Sequence, residues 1–176
     1  AGLHTGALAV SDRVVHGALK QAGIVRAYDV LELVDCAQAL SFGAPLHQPR
    51  FAVLTAAGGY GVVLADYLTA KEGGLGATLA ALQPETEARL RAVTVPFAAV
   101  RNPVDLTGSA TNAMLGRALE ALDADPGVDA IVLSLMPYAP KLDEGAADVL
   151  CDWRRHGRKP VFAVVTGAAF DAMLPR

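Results

Sequence analysis

At 176 residues the chain holds one ordinary domain, or one domain with part of another, and is too short for two full domains. Hydrophobic residues make up 53% and charged residues 19%, which argues against disorder and suits an α/β sheet covered on both faces. A net charge of -3 lacks the basic footprint of a nucleic-acid binder, and the longest uncharged stretch, Phe51 to Ala65, is too short to span a membrane.

Cys36 and Cys151 lie far apart without metal-ligand spacing, which fits reduced thiols in an intracellular chain. The first residues lack the basic start and continuous apolar core of a signal peptide, so a cytoplasmic location is expected. In chain order, SDRVVHGALKQAG reads as a helix, with Ser11 as cap, Asp12 in the first turn and Gly23 past the end. A short strand, IVRA, is expected next. YDVLELVDCAQALSF then places Val30, Leu31, Val34, Ala37 and Leu40 at helical spacing. FGAPLHQPR, residues 42 to 50, has the prolines and glycine of a linker. Two helices and a short strand upstream of it fall below the size that buries a core alone, so residues 1 to 41 are expected to dock on something.

After the linker come strand FAVLTA, glycine turn AGGYG, helix VVLADYLTAK and a strand near ATLAAL, an alternation that predicts parallel βαβ units. PETEARLRAV predicts a helix from Pro84 to Val93, with proline at its start and Glu85 and Glu87 in the first turn. An irregular stretch, VPFAAVRNPVDLTGSAT, leads into helix NAMLGRALEALDA. Beyond the turn DPGVD, AIVLSLM suits a central strand, with MPYAP at its C-terminal end, the edge where ligands gather in such folds. A helix near Leu142 to Trp153, a strand PVFAVVT and the start of helix GAAFDAML complete the pattern. The basic run from Arg154 to Lys159 reads as positive charge at a helix C-terminus, with an anion site as the alternative.

Three segments rich in small residues, HTGALAVSD, AAGGYGVV and DLTGSATN, lead into helix N-termini, where unpaired N–H groups and the helix dipole favour an anion such as phosphate. Glycine turns also serve packing alone. The dinucleotide fingerprint fails, because after Gly59 and Gly61 the third position is Leu64, and no acidic residue stands near position 79; a Walker A motif is absent too. No serine-hydrolase elbow occurs, and no two histidines have helical metal-ligand spacing, so no metal site is expected. His16, His47 and His156 have structural or exposed readings. His4, among the small residues of HTGAL, has the setting of a neutral imidazole nucleophile that takes a phosphoryl group.

Taken together, HTGALAVSD, KQAGIVRAYDVLELVDCAQAL, AAGGYGVVLADYL, NPVDLTGSAT and DPGVDAIVLSLMP resemble the NDP-forming acyl-CoA synthetases, relatives of succinyl-CoA synthetase. The resemblance runs over essentially the whole chain and departs from the family pattern at Leu3 and Val10. It implies an α/β, flavodoxin-like parallel sheet with helices on both faces, preceded by the tail of a second similar domain. Residues 1–41 would be that tail, 42–50 a linker, and 51–176 a second ligase domain truncated at its C-terminus.

The implied reaction interconverts acyl-CoA, ADP and phosphate with acid, CoA and ATP through a phosphohistidine at His4. Thr107, Gly108, Ser109, Ala110 and Thr111 would form a phosphate-binding turn, and Gly58, Gly59, Tyr60 and Gly61 would face phosphate or CoA. The bland alternative for NPVDLTG is a rigid turn, with Pro103 holding Asn102 extended and Asp105 bonding the backbone. No tightly bound cofactor is implied. CoA, ATP or ADP, and phosphate are substrates, with magnesium held by an ATP-grasp domain that has no counterpart here. The partners implied are CoA-binding and ATP-grasp domains in an oligomer, with the fragment inactive alone. The alternative class is a regulatory ligase-like module of a protein acetyltransferase, and a third reading is a free-standing flavodoxin-like cofactor binder.

Overall fold

A computed structural model gives the fold and describes residues 11–42, 46–72, 74–135 and 141–165. The chain divides into two compact units, Ala1–Leu46 and His47–Arg176.

In the first unit, α1 spans Asp12–Gln21 and α2 spans Val30–Phe42. Ser11 stands at the cap position of α1 without a side-chain bond to the helix. At the other end Gly23 takes φ +68°, which lets its N–H reach Lys20 O (3.2 Å) and the Ile24 N–H reach Leu19 O (2.9 Å). That double closure needs a left-handed residue, and glycine adopts it freely. The expected strand IVRA has no strand pairing among the described residues. Extended chain becomes a strand only where a neighbour completes its hydrogen-bond ladder. Arg26 instead forms an ion pair with Asp12. At the start of α2, Asp29 accepts from the Glu32 N–H (2.8 Å) and Glu32 accepts from the Tyr28 N–H (2.7 Å), so two side chains satisfy backbone donors there. Helix α1 buries no residue, and Leu31 of α2 is 77% exposed.

The second unit runs β1 (Arg50–Thr55), α3 (Gly58–Thr69), β2 (Thr78–Leu79), α4 (Pro84–Val93), β3 (Val104–Asp105), α5 (Asn112–Ala124), β4 (Ala130–Leu135), α6 (Gly145–His156) and β5 (Val161–Val165). Every strand pairing is parallel, in the order β2-β1-β4-β5, with β3 also on β1. The expected parallel α/β sheet is therefore present. Two local expectations differ. Gly58–Gly61 is the first turn of α3 rather than a loop before it, because the N–H groups of Tyr60 and Gly61 already bond Ala57 O. The irregular stretch after α4 contains β3, two residues that pair with Leu54 and Thr55.

Alternation along the strands divides the core. Ala52, Leu54, Ile131 and Leu133 face α4 and α5, whose Leu90, Leu115, Leu119 and Leu122 are fully buried. Each such leucine contributes roughly 1.5–3 kcal/mol of burial. On the opposite face Val53 and Val132 meet Leu68 and the half-buried Leu64 of α3.

Strands β2 and β3 share one edge of β1, the first opposite Arg50 and Phe51 and the second opposite Leu54 and Thr55. The side chain of Asn102 fills the interval. Its Oδ1 accepts from the Val53 N–H (2.9 Å), while its Nδ2 donates to Phe51 O (2.7 Å) and Ala80 O (3.0 Å). The Asn102–Pro103 peptide is cis. The amide of one side chain thus stands in for a strand residue, and the chain after it is delivered to the C-terminal edge of the sheet.

Candidate functional site

At that edge β1 leads into α3 and β3 leads into α5. Helix N-termini offer unpaired N–H donors and a partial positive charge. Gly58 and Gly59 occupy the first two positions of α3. A Cβ on Gly58 would lie 2.7 Å from Asp105 Oδ2, and one on Gly61 would lie 2.8 Å from the Thr55 methyl, whereas one on Gly59 would meet nothing. Gly58 and Gly61 are therefore required by close approach, and Gly59 leaves the helix end open. Tyr60 follows, 44% exposed.

The second turn is built from Asp105 onward. Asp105 Oδ1 accepts from the Thr107 N–H (2.8 Å). Thr107 takes φ +64°, an uncommon conformation for a β-branched residue, and is held there from both sides. Its Oγ1 accepts from the Ser109 N–H (3.2 Å) and its carbonyl from the Ala110 N–H (3.0 Å). Ala110 is fully buried, and Thr111 caps α5 by accepting from the Met114 N–H at 3.1 Å. Gly108 and Ser109 form the exposed crest of the turn.

Asp105 is the residue that joins the two turns, since one carboxylate oxygen holds Thr107 and the other lies over Gly58. The sequence assigned it only the first of these contacts. The rigid-turn reading of NPVDLTG therefore holds for Asp105, and Asn102 has a further role through its side chain.

The first residue of α5, Asn112, donates to Asp143 Oδ1 (2.5 Å), which also accepts from the Gly145 N–H (2.9 Å) at the start of α6. These two bonds, that of Asn112 first, hold the Asp143 carboxyl below the usual carboxylate range. Ser134 lies at the same edge, next to last in β4. Asn112 and Ser134 were not singled out in the sequence, although a serine inside the apolar run AIVLSLM was a visible signal. His4 and MPYAP lie outside the described residues.

The other sheet edge explains the basic run. Arg155 pairs with Asp152, and Arg158 pairs with Asp123 at 3.2 Å. Lys159 donates to Leu122 O (2.9 Å) and to Asp125 O, at the C-terminus of α5. Positive charge there meets the helix dipole. His156 Nδ1 lies 3.0 Å from Asp152 O, and His16 Nδ1 lies 3.3 Å from the Tyr28 hydroxyl. His47 is exposed. Among the described residues no three histidines, cysteines or carboxylates gather to hold a metal ion, and no helix is long and apolar enough to cross a membrane.

Residues 51–169 match the Ligase-CoA domain, and residues 1–40 match the succinyl-CoA ligase like flavodoxin domain. The chain is 37% identical over 132 residues to the alpha subunit of acetate–CoA ligase [ADP-forming] II of Pyrococcus furiosus, covering 75% of this chain and 28% of that protein. To the alpha subunit of enzyme I of the same organism it is 34% identical over 171 residues, covering 95% and 36%. The dinucleotide-forming acetyl-coenzyme A synthetase 1 of Ca. Korarchaeum cryptofilum, solved in complex with phosphate and ADP, superposes with a TM-score of 0.80 at 30% identity, over 96% of this chain and 36% of that one. The chain thus spans roughly a third of the length of these relatives. Two-thirds of its residues match one family model over the parallel sheet just described, and the chain belongs to the Ligase-CoA domain family.

Proposed function

We propose that this chain is part of an NDP-forming acyl-CoA synthetase, which interconverts acyl-CoA, ADP and phosphate with the free acid, CoA and ATP. In that reading phosphate displaces CoA thiol from the acyl group, the resulting acyl phosphate passes its phosphoryl group to the His4 imidazole as the acid leaves, and phosphohistidine passes it to ADP. The observation that carries the reading is the convergence of two helix-starting turns, at Gly58 and at Thr107–Thr111, through Asp105. In phosphoryl transfer the protein mainly positions groups and stabilises charge, which fixed backbone donors do without reorganisation. The likeness to a synthetase solved with phosphate and ADP supports the same ligand class.

The exposed crest Gly108–Ser109 and the open helix end at Gly59 are the parts of the two turns that a phosphoryl group would approach. CoA-binding and ATP-grasp domains of the parent protein or a partner subunit would supply thiol and nucleotide, with magnesium held by the latter. The test is labelling of the full-length protein with γ-labelled ATP. Wild type is expected to gain a base-stable, acid-labile phosphoryl group, and His4→Asn is expected to lose it. Equal labelling of the variant would overturn the assignment.

A further inference from the structure

Among the described residues four polar ones are buried: Thr55, Thr86, Asp125 and Ser134. Thr55 Oγ1 bonds the Ala57 backbone, and Asp125 accepts from Gln83, Gly127 and Thr86. Ser134 stands apart, 1% exposed and with no partner for its Oγ. Interiors rarely leave a hydroxyl in that state, because it has lost water and gained nothing.

The place of this hydroxyl is set by register. Ser134 is the partner of Thr55 across the β1–β4 ladder, and parallel partners point to the same face of a sheet. Thr55 meets Gly61 in the first turn of α3, so the Ser134 side chain stands on the α3 side, beside the start of that helix. The Ala56 N–H, just before the helix, points to Ser134 O at 3.4 Å. Asp105 already places a negative charge against Gly58, so an arriving anion needs a donor beyond the helix dipole alone. A neutral hydroxyl without a partner is such a donor. The other buried side-chain atom without a partner among the described residues, Asn112 Oδ1, is an acceptor and does not serve an anion.

We propose that Ser134 is a ligand-binding residue whose hydroxyl donates to an oxygen of a phosphoryl group held at the N-terminus of α3. This rests on the phosphoryl-transfer reading above. A hydrogen bond to a charged group is stronger than one between neutral groups, so Ser134→Ala should weaken binding about tenfold.

The full-length protein is titrated with inorganic phosphate and followed by thermal unfolding, and labelling by γ-labelled ATP is measured in parallel. Without phosphate, Ser134→Ala should unfold at the wild-type midpoint or above it, since it removes an unpaired group. A loss of the phosphate-dependent shift assigns the hydroxyl to free phosphate, and a loss of labelling with the shift intact assigns it to the histidine-borne group. Ser134→Thr, which keeps the hydroxyl, should retain both responses. Unchanged phosphate affinity and labelling in Ser134→Ala would overturn the inference, as would a lowered midpoint without phosphate. Wild-type protein that neither responds to phosphate nor becomes labelled would overturn the phosphoryl-transfer reading itself.

Discussion

Asp105 and Gly58 are in contact at the junction of two helix starts, with Oδ2 of the carboxylate 2.7 Å from where a Cβ on Gly58 would stand. Asp105 is also tied through Oδ1 to the Thr107 N–H, so it cannot turn away without releasing the second turn. Gly58→Ala is expected to cost about 1–2 kcal/mol, as the loss of that bond exceeds the gain in helix propensity. Gly59→Ala meets no atom within 4 Å and should be neutral or stabilising by up to about 1 kcal/mol. Denaturant midpoints of the two variants against wild type decide between them, and equal effects would refute the contact.

Asn102→Ala leaves the Val53 N–H without its partner and removes a donor from Phe51 O and Ala80 O. Val53 and Ala80 are buried. An expected loss of about 3 kcal/mol follows from orphaned groups at roughly 1–3 kcal/mol each. Asn102→Asp should be no better, because a carboxylate oxygen would then face two carbonyls. Urea unfolding measures both, and a loss below about 1 kcal/mol in either would contradict the junction role.

Acid should weaken the N-terminal edge of the sheet. The side chain of Arg50, helped by its backbone N–H, lowers Asp129 to about 2. Burial pushes the Asp125 carboxyl up, but bonds from Gln83, Thr86 and Gly127 outweigh it and leave Asp125 lowered as well. A carboxylate depressed in the folded state adds stability above its unfolded value of 3.8 that is lost as pH falls through the folded value. Wild-type stability should therefore fall between about pH 4 and pH 2, and Asp129→Asn should flatten part of that slope. Its side chain is 38% exposed, so solvent screening keeps the effect modest. Identical pH profiles for the two proteins would rule the pair out as a contributor.

Thr107 carries a β-branched side chain at φ +64°, while its Oγ1 holds the Ser109 N–H. Asparagine tolerates the left-handed region and keeps an acceptor oxygen. Thr107→Asn is expected to raise stability by about 0.5–1 kcal/mol. A melting midpoint lower than wild type would show that the threonine methyl matters more than the backbone strain.

Local signals made α4 and α5 legible in the sequence from end to end. Pro84 starts the first, whereas the cap that Thr111 gives the second was not read from the sequence. The parallel sheet was legible from βα alternation. Strand β3 was not, because two residues between prolines and glycines carry no periodicity, and their pairing depends on Leu54 and Thr55 fifty positions earlier. GGYG looked like a loop because glycine weakens helix signals, yet Ala57 O collects the first helical bonds. The site was half legible. Composition pointed to the small-residue turns, but the bridging role of Asp105 depends on Gly58, and the junction role of Asn102 depends on residues 51, 53 and 80.

One amide in the central strand is guarded differently from its neighbours. The Val53 N–H is bonded by a side chain, Asn102, so its hydrogen-exchange rate follows the residence of that side chain as well as the melting of the sheet. Should the segment from Asn102 to Thr111 detach transiently, Val53 would exchange while the amides of the β1–β4 ladder stayed protected. The protection of Val53 is then the opening free energy of the turn that carries Asp105 and Thr107, and its shortfall from the ladder amides is the further cost of opening the sheet.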